Sequence, residues 1–178
     1  CASTFVVSCD MAPSTKSTRS IGFRPAWASL PLLFTLCACE PTMIPNTRVE
    51  DTRDNREVVD FIEKYRVALE TRNTGQLLAL ASPNYFDDMG TPSGTDDIDF
   101  DGLQDALGRL REEVLGTRYQ ISYRAVTYDV EHKVLVDMLY TGWFRVNSSD
   151  GPVWKRRLEP HRIVLAREDG RYRILSGM

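Results

Sequence analysis

Residues 134–146 read VLVDMLYTGWFRV, and this stretch decides the fold of the chain. Its side chains alternate with a period of two, which is the period of a β-strand that covers a hydrophobic core with one face. The apolar face consists of Val134, Val136, Met138, Tyr140 and Phe144. The opposite face consists of Leu135, Asp137, Leu139, Thr141, Trp143 and Arg145. We therefore predict a long strand whose apolar face packs under other elements, while Asp137 points away from the core.

Three further runs show the same alternation. One precedes this strand at 117–125, and two follow it at 153–167 and 172–176. The segments that separate the runs are short and contain Asp, Asn or Gly, as expected for hairpin turns. They are 129–133, 147–152 and 168–170. The sequence thus predicts four antiparallel strands that pair in chain order.

The chain before these strands has the period of a helix. Residues 56–72 place apolar side chains three and four positions apart, and Asp54 with Glu57 fits a capping box at the start. Asn73 and Gln76 form a second capping box, which predicts a short helix after the first one.

A polar segment with two glycines and a proline at 87–99 is typical of a loop, and a third amphipathic helix is predicted at 102–115, closed by Gly116. The fold class predicted from this order is α+β. Three N-terminal helices pack on a curved, antiparallel, four-stranded sheet.

The first 38 residues have the character of an exported leader. Met11 is followed by Lys16, Arg19 and Arg24 and then by a largely apolar run that is too short to span a membrane. The run ends in Leu-Cys-Ala-Cys at 36–39, which resembles the lipobox of bacterial lipoproteins. This resemblance implies lipidation of Cys39 and anchoring to a membrane of the bacterial cell envelope, inner or outer. The alternatives are an ordinary signal peptide that is cleaved nearby and an uncleaved anchor.

These boundaries divide the chain into a leader at 1–38, a flexible tether at 39–54 and a domain at 55–178. All four cysteines lie at or before Cys39, so the domain has no disulfide, thiolate nucleophile or thiolate metal site. Removing the leader's net charge of +2 from the chain's −3 leaves −5. We therefore expect no nucleic-acid partner.

Three stretches of the domain carry a family resemblance. The first helix passes through Tyr65, Ala68 and Leu69; Leu77 and Leu80 precede Pro83-Asn84-Tyr85-Phe86; and the chain ends with Leu165 through Glu168-Asp169-Gly170-Arg171-Tyr172-Arg173-Ile174. Their order and spacing resemble the NTF2-like (SnoaL-like) superfamily, in which three helices close the open side of a bent sheet. That superfamily contains both enzymes and binding modules, so the fold alone does not decide the function.

The candidate site residues are few. Tyr65, Tyr85, Met138 and Tyr140 are candidates for the lining of a ligand pocket, and the alternative is that they are ordinary core residues. His161 is the better general-base candidate, since the only other histidine, His132, falls in a predicted turn. The alternative for His161 is a structural histidine that is salt-linked to a neighbour.

A second candidate is a cation site. Asp97, Asp99 and Asp101 precede Gly102 with the spacing that opens an EF-hand calcium loop, but the twelfth position is Gly108 instead of Glu. We therefore favour a role for Asp101 as the cap of the third helix, and we expect neither a metal nor a cofactor.

The sequence favours a lipid-anchored, non-catalytic NTF2-like module for binding or assembly, whose partner is an envelope protein or a second copy of the chain. The alternative is a small-molecule isomerase, dehydratase or hydrolase of SnoaL type that uses a pocket in the cone.

Overall fold

The computed structural model describes residues 41–178 except Ser93, so the predicted leader and Cys39 lie outside the described residues. The helices are α1 (Arg53–Glu70), α2 (Thr74–Leu80) and α3 (Phe100–Glu113). Two short strands, β1 (Phe86–Asp87) and β2 (Ile98–Asp99), pair with each other at the two ends of the predicted loop. The remaining strands are β3 (Val114–Tyr128), β4 (Val134–Val146), β5 (Val153–Glu168) and β6 (Arg171–Ser176).

The four long strands form one antiparallel sheet in the order β3-β4-β5-β6, which confirms the predicted α+β plan. The helices precede the sheet in the described chain and pack on one of its faces. Val136 and Met138 of β4 are buried there together with Ile62 and Ala68 of α1. The period-two pattern of 134–146 therefore identified the buried face correctly.

The start of α1 differs from the prediction. The helix begins at Arg53, and its cap is Thr52, whose Oγ1 accepts a hydrogen bond of 3.2 Å from the backbone N of Asn55. Asp54 lies inside the first turn, where its negative charge interacts favourably with the positive end of the helix dipole. The start of α2 agrees with the prediction, because Oδ1 of Asn73 accepts from the N of Gln76 at 3.0 Å.

Both ends of α3 also differ from the prediction. Asp99, and not Asp101, caps this helix by accepting a hydrogen bond of 2.9 Å from the N of Gly102. At the other end, β3 starts directly at Val114, so Gly116 does not close a helix. It lies in the strand where the pairing with β4 shifts register, and a β-bulge there replaces the expected loop.

The segment predicted as a flexible tether is packed on the domain in its described part. The backbone N of Asp51 donates to the carbonyl of Thr42 at 2.7 Å, and the N of Arg48 donates to the carbonyl of Tyr123 in β3 at 3.2 Å. Val49 is only 2% exposed and belongs to the core, with Ile44 packed against it. Two isolated apolar residues have neither helical nor strand periodicity, so this packing could not be predicted from the sequence pattern.

None of the helices in the described chain is long and apolar enough to cross a membrane.

Candidate functional site

The register of β4 and β5 places His161 on the helix-covered face of the sheet. Met138 pairs with His161, and Tyr140 pairs with Glu159. Directly paired residues in an antiparallel sheet project to the same side, so His161 and Glu159 share the inner face with Met138 and Tyr140. The structure thus brings the histidine candidate next to two of the predicted pocket residues.

Aromatic rings dominate this part of the inner face. The rings of Tyr119 and Tyr140 stack with centroids 4.9 Å apart, and the ring of His161 meets Tyr140 edge-on at 5.6 Å. Gly142, which pairs with Tyr119, makes room for the ring of Phe144 beside this cluster, because a Cβ there would lie 2.6 Å from Cε2 of Phe144. The result is an aromatic surface with a polar edge, since the Tyr140 hydroxyl donates to Oε2 of Glu159 at 3.1 Å.

Two tyrosine hydroxyls in this cluster lack a protein partner. Tyr65 on α1 is 3% exposed and Tyr119 on β3 is 7% exposed, yet neither hydroxyl forms a hydrogen bond within the described part of the chain. The single side-chain atom in the described chain that is both sealed and unpaired is Oγ1 of Thr117, so neither tyrosine hydroxyl is completely sealed from solvent. Burial raises the pKa of both tyrosines. The proximity of Tyr85 and Tyr140 adds to the rise at Tyr65, and the proximity of Tyr65 and Tyr140 adds to the rise at Tyr119.

Tyr85 has a different environment from the other predicted pocket residues. Its hydroxyl donates to Oδ2 of Asp87 at 3.2 Å and accepts from the backbone N of Met178 at 3.1 Å. The same Asp87 oxygen accepts from the N of Gly177 at 2.7 Å. Burial is the main reason why the pKa of Tyr85 is raised. Tyr85 therefore helps to hold the last residues of the chain in place.

His161 is held by the backbone. Its Nε2 lies 2.8 Å from the carbonyl oxygen of Gly177, and because a carbonyl can only accept, Nε2 carries the hydrogen. In the neutral ring this leaves Nδ1 as the basic nitrogen. The predicted alternative of a salt-linked histidine is wrong for the residues that the structure describes, since none of their ion pairs involves His161.

The outer face of the sheet carries the other side chains of β4. Asp137 lies there, as predicted, and receives two hydrogen bonds from Arg162, at 2.7 and 3.1 Å. Trp143 lies under the guanidinium of Arg156 at 5.7 Å. On β5, Leu158 remains 52% exposed. Leu135 and Leu139 continue this partly apolar surface along β4.

The three aspartates of the possible calcium loop do not assemble into a site. Among residues 41–178, Ser93 excepted, no group of three His, Cys, Asp or Glu side chains could hold a metal ion. Asp99 is occupied as the cap of α3, while His132 lies in the β3–β4 turn with a φ of 61°.

The sequence did not single out Tyr119 and Glu159 as site residues. Both lie on predicted strands, and the alternation alone gives Tyr119 the same face as the buried Tyr123. Which residues meet across two strands depends on the register, and the length of the 147–152 turn fixes that register.

Comparisons with known proteins bear on the fold. No protein-family model matches the chain, and no curated protein matches it. A protein of Novosphingobium aromaticivorans with a provisional assignment as a scytalone dehydratase aligns with a TM-score of 0.60 and 13% identity, over 70% of this chain and 80% of that one. A Xanthomonas campestris protein, provisionally a calcium/calmodulin-dependent protein kinase II association domain, aligns with a TM-score of 0.57 and 18% identity, over 78% and 91%.

A type 2 hexachlorocyclohexane dehydrochlorinase (LinA) also aligns, with a TM-score of 0.56 and 13% identity over 70% of this chain and 82% of its own. At these identities the likeness concerns the fold alone. The fold is NTF2-like (SnoaL-like), and it occurs both in enzymes and in an association domain.

Proposed function

We propose that this protein is a lipid-anchored envelope protein whose NTF2-like domain is a non-catalytic binding module. The observation that carries the binding function is the pair of unpartnered hydroxyls on the buried residues Tyr65 and Tyr119. Both hydroxyls keep some solvent access and are used by no other group of the described chain, so both are available to donate a hydrogen bond to a ligand. Two hydroxyls beside the stacked Tyr119–Tyr140 pair suit a flat, largely apolar ligand with an acceptor oxygen.

A test uses 1-indanone as the probe, because its carbonyl can accept from both hydroxyls while its ring lies against Tyr140. Indane has the same rings without the oxygen and serves as the control ligand. We expect the full chain to bind indanone more tightly than indane in calorimetry. The double variant Tyr65→Phe, Tyr119→Phe should weaken indanone binding about tenfold, which is roughly 1.4 kcal/mol, and leave indane binding unchanged. Equal affinity for the two ligands would contradict the proposal.

Two features support a non-catalytic module. The Nε2 hydrogen of His161 goes to a neutral backbone carbonyl and not to a carboxylate, which would stabilise the imidazolium that forms when the ring takes up a proton. Asp137, the carboxylate at the centre of β4, lies on the outer face and is neutralised by Arg162.

An enzyme is the second candidate, and one observation favours it. His161 stands on the inner face beside Tyr140 with Nδ1 as its basic nitrogen. A base in that position could remove a proton adjacent to a carbonyl, and a tyrosine hydroxyl of the same inner face could stabilise the resulting enolate. Two of the structural neighbours carry enzyme names, a provisional scytalone dehydratase and a hexachlorocyclohexane dehydrochlorinase, so this fold is compatible with catalysis.

The same probe separates the two candidates. In D₂O an enzyme of this kind would exchange the C2 hydrogens of 1-indanone, since Nδ1 removes a proton and solvent returns a deuteron to the enolate. Proton NMR of indanone with the full chain, and with His161→Gln as control, measures this exchange. A binding module gives no exchange above that of the buffer. Exchange that disappears in His161→Gln would replace the non-catalytic proposal with the enzymatic one.

The anchor is the remaining part of the proposal. The packed chain reaches back to Thr42, so only Glu40 and Pro41 separate Cys39 from the folded domain. A lipid on Cys39 would therefore hold the domain directly against the bilayer, without the spacing that a long tether would give. Mass spectrometry of the mature N-terminus tests this. We expect a cleaved chain that begins with an acylated Cys39, and an unmodified Cys39 would contradict it.

A further inference from the structure

A concave site lies on the surface of the domain, away from the tyrosine cluster of the inner sheet face. It is a groove of ≈ 540 Å³ between α1, the end of α2 and the turn that joins β5 to β6. Its floor is apolar and consists of Phe61, Leu80 and Tyr172. Its rim carries three cations, namely Lys64, Arg171 and Arg173. The volume falls within the range of about 300–1,000 Å³ that is typical of small-molecule sites.

Contacts between α1, β5 and β6 fix the side chains that form the floor and one wall of this groove. The rings of Phe61 and Tyr172 lie 6.0 Å apart and tilted by 57°. Arg167 covers the Tyr172 ring at 4.7 Å and donates to Oε2 of Glu57 at 2.9 Å. The Glu57–Arg167 pair is neutral as a whole and links α1 to β5, so this wall exists before any ligand arrives.

The remaining charges are not balanced. Asp60 is the one other carboxylate in the lining, and it faces three cations. Lys64 and Arg171 form no ion pair within the described residues, and Arg173 donates to the neutral carbonyl of Ala79, which leaves its charge uncompensated. The groove therefore carries a local excess of two positive charges over an apolar floor, although the chain as a whole is acidic.

We infer that this groove binds a small amphipathic anion, with an apolar ring on Phe61 and Tyr172 and a carboxylate between Lys64 and Arg171. The apolar floor supplies affinity through burial, and the cationic rim selects the acid over its neutral analogue. The inference concerns a surface that the cone does not share, and it depends neither on the lipid anchor nor on the ligand of the tyrosine cluster.

The probes are 2-naphthoate and its neutral analogue 2-naphthamide, titrated into the full chain by calorimetry. Detergent is identical in all samples, so that partition into micelles cancels between variants. We expect naphthoate to bind at least about tenfold more tightly than naphthamide. Lys64→Glu and Arg171→Glu should each weaken naphthoate binding about fivefold, since each reverses one charge at a solvent-exposed rim. Added salt should weaken it further.

Two control variants test whether naphthoate binds in this groove. Arg48→Glu reverses an exposed charge away from the groove and should leave naphthoate binding unchanged. The variant Tyr65→Phe, Tyr119→Phe should also leave it unchanged, because it alters the cone alone. Equal binding of the two probes, no saturable naphthoate binding, or binding that survives both rim variants would overturn the inference. Loss of naphthoate binding in the tyrosine variant would assign it to the cone instead.

Discussion

The imidazole of His161 donates its Nε2 hydrogen to the carbonyl oxygen of Gly177, 2.8 Å away. The same glycine donates its backbone N–H to Asp87 at 2.7 Å, so this one residue joins β5, the end of the chain and the β1–β2 ribbon. Its φ of +87° lies in the region that favours glycine, and a Cβ at this position would collide with the carbonyl oxygen of Arg162. The position of the His161 ring therefore depends on a residue that carries no side chain.

Gly177→Ala should lower the free energy of unfolding by about 3 kcal/mol, from backbone strain together with the collision. Gly170→Ala is the matched control, because Gly170 also has a positive φ, +76°, but nothing lies within 4 Å of an added Cβ. The control should lose only about 1 kcal/mol. Urea unfolding of the full chain, followed by tryptophan fluorescence, measures both values. Equal losses would show that close packing against Arg162 is unimportant.

The buried tyrosines predict a loss of stability at alkaline pH. Burial raises the pKa of Tyr65 above the value of about 10 that tyrosine has in an unfolded chain. The folded state therefore retains a proton that the unfolded state loses. This contribution to stability is complete below pH of about 10 and is lost as the pH rises through the folded pKa. Each such tyrosine adds a slope of up to about 1.4 kcal/mol per pH unit.

Tyr65→Phe should remove one of these slopes. Because the Tyr65 hydroxyl has no hydrogen-bond partner in the described chain, the variant should be as stable as the wild type at pH of about 8 and more stable above about 10.5. Urea unfolding at several pH values measures this. Parallel pH profiles of the two proteins would mean that Tyr65 ionises as easily in the folded chain as in the unfolded one.

The two aspartates at the start of α3 have different roles, because Asp99 caps the helix and Asp101 only places a negative charge in its first turn. Asp99→Ala removes the side chain that accepts from the N of Gly102 and should cost about 1 kcal/mol. Asp101→Ala removes only a favourable charge in the first turn and should cost about 0.5 kcal/mol or less. Denaturant unfolding of both variants measures the difference. A larger loss in Asp101→Ala would restore the cap that the sequence predicted.

These caps illustrate why helix ends were harder to predict than strands. The alternation in 134–146 covers the same residues as β4. It also identifies the buried face without ambiguity, because a one-residue shift of the strand would turn every buried side chain to solvent. At α3, the aspartates at 97, 99 and 101 are all chemically able to cap. The choice depends on where the helix must begin for Leu103 and Leu107 to reach the core, which is a tertiary constraint.

The candidate site was predictable in part for a related reason. The one-dimensional patterns place Tyr65, Met138 and Tyr140 on the apolar faces of their own elements, where the structure also has them. The pairing of Tyr140 with Glu159 instead requires knowledge that Val146 pairs with Val153 across the turn. Once that pair is known, counting outward along both strands places His161 opposite Met138. The hydrogen bond from His161 to Gly177 could not be predicted from the sequence, because its acceptor is a backbone carbonyl, which every residue has.

The partly apolar outer face of the sheet leads us to predict that the protein self-associates through it. Leu139 lies at its centre, between Leu135 and Trp143 on β4, and the exposed Leu158 continues the surface on β5. If a second copy covers this face through a twofold axis, equivalent side chains near the axis meet each other. Leu139→Lys would then bury two like charges in an apolar interface. That costs several kcal/mol, so the variant should dimerise at least about a hundredfold more weakly. Val130→Lys is the matched control, because Val130 is 93% exposed in the β3–β4 turn.

Analytical ultracentrifugation of the detergent-solubilised full chain measures this directly. We expect dimers for the wild type and for Val130→Lys, and monomers for Leu139→Lys at the same concentration. A monomeric wild type would leave the apolar outer face for a different envelope protein. A dimeric Leu139→Lys would mean that copies associate through another surface, since a buried pair of lysines at the centre of this face is incompatible with close packing.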